Sequence, residues 1–253
     1  NISSEDVGNY PDNTINPALE ETHTFLKNIL EELSEIFSFH IIHVGVDERP
    51  KESWEGSPKV IQYMKKNNIS SFDELQDDYM NKIISTLKDN QKLTAAWNEA
   101  ALPPHNDIGS SGSAGKVDKT CIIFAWEHPD VGIMSAKNGF KTVLCPGQKT
   151  YFDMAHNHST FERGICWAAT IEVKEVFDWQ PLKDYQPKEI ENVLGIQGQL
   201  WSETITDKDY FDAMINPRLA TLAEIAWSSK AKRTWSQFRS SLLHNVDFLS
   251  KMI

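Results

Sequence analysis

The sequence predicts an α/β fold assembled from parallel βα units, and three observations predict it. Short apolar runs recur along the chain at "HIIHVGV", "KLTAAW", "TCIIFAW", "KTVLCP" and "VLGIQGQLW". They are continuous rather than alternating, as strands covered on both faces of a parallel sheet are. Stretches with apolar residues at helical spacing separate most of them, and that alternation of strand and helix is the signature of βα units. The length of 253 residues suits one large domain, since single barrel domains run to about 250 residues.

The elements follow in order. Residues 1–13, "NISSEDVGNYPDN", hold neither an initiator methionine nor an apolar signal core, and read as a loop entered partway through a longer protein. From about 18 to 37, Leu19, Phe25, Leu26, Ile29, Leu30, Leu33, Ile36 and Phe37 form a helical stripe. "HIIHVGV" then reads as a buried strand ending at Gly45, Asp47 and Glu48. Ser71 and Glu74 stand at the spacing of a capping box ahead of a second stripe, Phe72, Leu75, Tyr79, Ile83, Ile84 and Leu87. The strand "KLTAAW" is followed by "ALPPHNDIGSSGSAGKVDK", residues 101–119, too rich in Gly, Ser and Pro for a regular element and therefore a long loop. Helices are expected at 129–138, 207–228 and 234–252. About five strand units result, fewer than the eight of a closed barrel.

Composition narrows the function classes. Lys and Arg total 25 against 36 Asp and Glu, a net charge of −11. So acidic a chain is not expected to bind nucleic acid. No stretch approaches the roughly 20 apolar residues of a membrane helix, so no membrane span is expected. Cys121, Cys145 and Cys166 form no C-x-x-C pair, so neither a zinc site nor a disulfide framework is expected. His156 and His158 lack a third ligand at metal spacing and read as a surface loop. "GSSGSAG" lacks the following Lys and helix of a phosphate loop. Neither metal nor cofactor is expected. N-x-S triplets start at Asn1, Asn68 and Asn157 and matter only in a eukaryotic secretory setting.

The chemistry gathers at the strand ends. Asp47 and Glu48 close the first strand; Trp97, Asn98 and Glu99 the second; Trp126 and Glu127 the third; Trp201, Ser202 and Glu203 the last. In "GQKTYFDM", Tyr151 and Asp153 alternate, so an extended backbone sends both the same way. Trp167 follows in "RGICWAA". Indole walls with a few placed carboxylates suit a pyranose, whose C–H faces stack on aromatic rings while its hydroxyls seek charged acceptors. Adjacent acids repel, and burial raises that cost. Such a pair at the end of an apolar strand points to catalysis.

On "HVGVDERPKESW", "AAWNEA", "TYFDM", "CWAA" and "GIQGQLWSE…NPRLATLAEIAW", the chain resembles the β-N-acetylhexosaminidases of glycoside hydrolase family 20, especially bacterial chitobiase-like members. The resemblance covers about residues 9 to 240. It implies a (β/α)8 TIM-type barrel of which this chain supplies roughly strands 4 to 8, with residues 1–253 a catalytic barrel domain lacking its N-terminal strands. It implies hydrolysis of terminal N-acetylglucosamine or N-acetylgalactosamine by a retaining mechanism in which the substrate's own acetamido oxygen attacks C1.

The resemblance also assigns roles. Glu48 corresponds to the general acid, and Asp47 to the acid that holds the acetamido N–H. Tyr151 corresponds to the tyrosine at the acetamido carbonyl, and Trp97, Trp126 and Trp201 to the walls of the N-acetyl pocket. Asp153 and Glu203 correspond to hydroxyl-binding acids, and Trp167 to the tryptophan under the next sugar. His43 corresponds to a supporting residue directed into the barrel. An arginine on the first barrel strand and a histidine near the third have no counterpart in this chain. The rival expectation is accordingly a non-catalytic sugar-binding fragment, or a half barrel that needs a partner chain carrying the front strands. A periplasmic, outer-membrane or secreted location is what the family leads one to expect.

Overall fold

The computed structural model describes residues 14–50, 52–104, 112–229 and 234–245. The expected entry loop at 1–13, the middle of the 101–119 loop and the end of the last helix lie outside the described residues.

A five-stranded, wholly parallel sheet runs β1 (Ile41–His43), β2 (Leu93–Trp97), β3 (Ile122–Ala125), β4 (Thr142–Leu144) and β5 (Val193–Ile196), side by side in chain order. Parallel neighbours in sequence order need a crossover between each pair. The first is α2 (Pro58–Asn67) with α3 (Phe72–Asp89), and the third α4 (Pro129–Lys137). The second runs through 101–119, whose described residues, 101–104 and 112–119, form no helix or strand. Between β4 and β5 lie the short helices α5 (Gly147–Thr150), α6 (Val173–Asp178) and α7 (Pro187–Ile190). Helix α1 (Glu20–Ile36) precedes the sheet, while α8 (Lys208–Ile215), α9 (Arg218–Trp227) and α10 (Trp235–His244) follow it. No helix among the described residues is long and apolar enough to cross a membrane.

Local sequence explains the helix starts. Ser57, Ser71, Asp207 and Thr234 each accept a backbone N–H as N-cap, and Pro occupies an early position of α2 and α4. The capping box expected at Ser71 forms only by half. Ser71 Oγ accepts from the Glu74 amide at 3.1 Å, but the Glu74 carboxylate turns back to Ser70 and across to Lys116. The expected single helix over 207–228 is two helices, broken at Asn216–Pro217 because proline has no amide to continue the ladder.

The strands differ in burial. Ala95, Ala96, Ile123 and Ala125 of the inner strands are buried, and the last three pack with Met80, Ile83 and Leu87 of α3 and Val131 of α4. The outer strands are not, which corrects the expectation of a buried first strand. Ile41 is 47% exposed and Leu194 54%, because among the described residues β1 and β5 each pair on one side only. A second core of Phe152, Met154, Ile171, Val176, Leu222 and Ile225 joins the segment after β4 to α6 and α9.

Arg218 anchors that second core. It is fully buried and donates to the carbonyls of Phe152, Met154, Ile171 and Met214 at 2.5–3.2 Å. One guanidinium thus satisfies the backbone on both sides of Asp153. Gly164 (φ 98°) lets the chain return beside that segment, since a Cβ there would stand 2.6 Å from the Asp153 carbonyl oxygen.

Candidate active site

All five strands run the same way, so their carboxyl ends share one edge, the edge that carries the active site in βα barrels. Asp47, Glu48, Trp97, Trp126, Tyr151, Asp153, Trp167, Trp201 and Glu203 line one cavity there, of about 380 Å3. These nine residues are the full set singled out from the sequence, and each strand end or the segment after it contributes. Ile165 also lines the cavity and was given away by no signal in the sequence. A cavity of about 430 Å3 lies between α4 and the 178–185 segment, lined among others by His128, Asp130, Trp179 and Tyr185. The smaller cavity is the candidate site, because the acid pair opens into it.

The aromatic walls form one connected group. Trp126 and Tyr151 lie nearly parallel at 6.3 Å between ring centroids, and Trp167 stands edge-on to both at 5.9 Å. Trp201 bridges Tyr151 at 6.2 Å and Trp97 at 6.1 Å. Trp167 and Trp201 remain 55% and 40% exposed, so faces wide enough for a sugar ring stay uncovered. His43 does not line the cavity; it packs edge-on against Trp97 and Phe124 at 4.7 and 4.9 Å. Partial burial disfavours an imidazolium and lowers the His43 pKa to about 4.

The acid pair sits on unusual backbone. Gly45, Val46 and Glu48 have φ of 75°, 72° and 51°, three left-handed residues in four. For a β-branched valine this is rare, and such strain costs of order 1–3 kcal/mol per residue. This left-handed turn presents both carboxyls at the end of β1. Partial burial raises the pKa of Asp47, and burial, then Asp47, then Glu127 raise that of Glu48. Both residues keep a solvent-exposed side, which limits how far each shift can go.

Tyr151 is buried, and that burial pushes its phenol far above the ordinary range. It stays a neutral donor at any working pH. The expectation of extended backbone around it is met only in part: Gly147–Thr150 is a helical turn, after which Tyr151 bridges Gln199 in parallel. Asp153 is fully buried. Its Oδ1 accepts the Trp201 amide at 3.4 Å, while Oδ2 lies buried with no protein partner. A buried acceptor without a donor is costly, and a ligand hydroxyl would satisfy it. Glu203 is exposed at the rim.

Sequence reasoning stopped short at Glu99, placing it at a strand end but not in the site. It is 1% exposed. Its Oε2 accepts the Trp126 indole N–H at 2.9 Å and its Oε1 the Glu48 amide at 3.3 Å. Burial, then Glu127, raise its pKa to about 8. The signal available was its place two residues after Trp97 at a strand end.

A parallel βα sheet with indole walls and paired acids at its carboxyl edge is the architecture of barrel enzymes that work on sugars. The catalytic-domain model of glycosyl hydrolase family 20 matches residues 2–230, and the chain belongs to that family. A β-hexosaminidase of Vibrio furnissii is 35% identical over 217 residues, 85% of this chain and 34% of that protein. A β-N-acetylhexosaminidase of Cellulomonas fimi is 24% identical over 237 residues, 92% of this chain and 41% of its own. Among solved structures, a family 20 exo-β-N-acetylglucosaminidase from Vibrio harveyi in complex with N-acetylglucosamine superposes with a TM-score of 0.85. It is 31% identical, over 95% of this chain and 36% of that one. The chain thus spans 34–41% of the length of these relatives.

Proposed function

We propose that the protein is an exo-acting β-N-acetylhexosaminidase releasing terminal N-acetylglucosamine, or N-acetylgalactosamine, from chitin oligosaccharides or other glycans. The observation that carries this reading is the meeting of nine residues from five strand ends in one cavity, the acid pair among them. The five strands then correspond to strands four to eight of an eight-stranded barrel, with residues 1–253 part of its catalytic domain. The edge of β1, half exposed and without a further strand among the described residues, is where preceding strands would add, from the same polypeptide or from a partner chain.

In this mechanism the acetamido carbonyl oxygen of the substrate attacks C1 as the glycosidic C1–O bond breaks. Glu48 gives its proton to the departing oxygen. Asp47, ionised, accepts the acetamido N–H and offsets the positive charge that grows on the oxazolinium ring. The Tyr151 hydroxyl donates to the acetamido oxygen and aligns it. Glu48, now a carboxylate, removes a proton from water as that water adds to C1 and the bond from C1 to the acetamido oxygen breaks; the acetamido group is restored and the sugar leaves with its configuration retained. Trp97, Trp126 and Trp201 enclose the acetamido group, Asp153 and Glu203 take sugar hydroxyls, and Trp167 lies under the next residue. The neighbouring acids suit a division of labour, since proximity pushes two carboxyl pKa values apart.

Replacing Glu48 by Gln is expected to lower kcat on an aryl N-acetylglucosaminide by about 10²–10⁴-fold, the usual contribution of general acid catalysis. A loss below tenfold overturns the reading. Binding of N-acetylglucosamine without turnover by the unmodified full-length protein would favour a sugar-binding module instead.

A further inference from the structure

We propose that Glu99 is a positioning residue that locks the catalytic turn to the wall of the N-acetyl pocket, so that general acid and acetamido site stay in register. The inference rests on the hexosaminidase reading and deepens it. One carboxyl group spans two parts of the site: Oε1 holds the backbone amide of Glu48 and Oε2 the indole of Trp126. Glu48 lies in the left-handed region, where its conformation needs outside support. The amide that Glu99 holds belongs to that same residue.

A circuit of hydrogen bonds closes behind this contact. Gln76 of α3 donates to the Glu99 carbonyl at 2.8 Å and accepts from Arg49 Nε at 2.7 Å. The Arg49 guanidinium lies 4.1 Å from the Trp54 ring centre and also meets Asp73. Glu48 is therefore tied on both sides, by its own amide to the Glu99 side chain and through Arg49 and Gln76 to the Glu99 main chain. Displacing Glu99 would release the turn and the wall together.

Packing alone gives little reason for a carboxyl here. Both oxygens meet N–H donors, while Glu127 and Asp47 act on the group as like charges and burial opposes its ionisation. Any apolar side chain would fill the space at lower electrostatic cost. What it could not do is accept two N–H groups from two different strand ends.

Glu99→Gln tests this, because it keeps the shape but turns one acceptor into a donor, so that only one of the two contacts survives. In the full-length protein, kcat/KM on an aryl N-acetylglucosaminide is expected to fall about 10- to 100-fold, as for a misplacement near 1 Å. KM should rise along with the fall in kcat. A smaller folded fraction would lower apparent kcat and leave KM unchanged. The Trp126 indole N–H resonance, assigned by its loss in Trp126→Phe, should move upfield in Glu99→Gln. In the Trp126→Phe background, Glu99→Gln should cost less than in the native one, as coupled neighbours require. An unchanged KM with an unmoved resonance overturns the inference. If Glu99→Gln does not fold, Glu99→Asp keeps both acceptors one methylene short and must show the same rise in KM and displaced resonance. No turnover by the unmodified protein overturns the hexosaminidase reading instead, and the resonance alone then decides whether Glu99 holds the wall.

Discussion

At the scale of single residues, the adjacent acids differ in what surrounds them. Glu48 is raised first by burial and next by the charge of Asp47. A general acid works only below its own pKa, so whatever raises that pKa extends activity toward alkaline pH. Asp47→Asn removes the second cause. Glu48 should then lose its proton at lower pH, and the alkaline limb of kcat/KM should move to lower pH beside the loss in rate. A pH profile of both proteins checks this; an alkaline limb that stays put or moves upward would refute the coupling. The pair was legible in the sequence because two acids closing an apolar strand are costly without a task. The left-handed turn that aims them was not, because no pattern of residue types announces positive φ at Val46.

At the scale of elements, the segment after β4 depends on α9. The Phe152 and Met154 carbonyls flank Asp153, and both are satisfied by Arg218 from a helix 64 residues further along. Arg218→Met would leave several buried carbonyls without donors, each costing about 1–3 kcal/mol. A loss of at least about 3 kcal/mol in unfolding free energy is expected, measured by chemical denaturation. A loss below about 1 kcal/mol would show that the carbonyls find other donors. Both the 150–154 segment and the 207–228 helical stretch are legible in the sequence, but the contact between them is not. A lone arginine in an apolar helix reads as an exposed cation until its partners are known. The exposed outer strands were missed for a related reason: an apolar run does not reveal whether a strand is inner or edge.

At the scale of the molecule, raised carboxyls set how stability responds to pH. Asp47, Glu48, Asp77, Glu99 and Asp153 all have pKa values raised by burial. A raised carboxyl binds its proton more tightly folded than unfolded, so its contribution is present below the unfolded pKa and lost as pH rises through the folded one. For Glu99 that window runs from 4.5 to about 8. Glu74, Asp118 and Asp207 act oppositely, since hydrogen bonds hold their pKa values down. Their effect falls below the ordinary carboxylate range. Burial holds the pKa values of His43 and His156 down, so those groups raise stability as pH climbs toward 6.5 and oppose the carboxyls there. Above pH 6.5 thermal stability should decline toward pH 8, with at most about 1.4 kcal/mol per pH unit from any one group. Glu99→Gln should flatten the decline. Melting curves across that range decide it, and a stability that rises from pH 6.5 to 8 would contradict the assignment.

What the sequence by itself determined is the order of the βα units, the residues at their carboxyl ends and the family to which they belong. Strand and helix periods are local, and a strand end is marked by where an apolar run stops, so Asp47, Trp97, Trp126 and Trp201 could be placed without coordinates. Only the tertiary structure decided which strands lie at the edges, how the acid turn is bent, and that Glu99 and Arg218 serve the site from within. Those facts depend on contacts between residues 27 to 66 positions apart, and on burial that turns an ordinary carboxyl or guanidinium group into a fixed point. Local residue patterns carry no record of such distances.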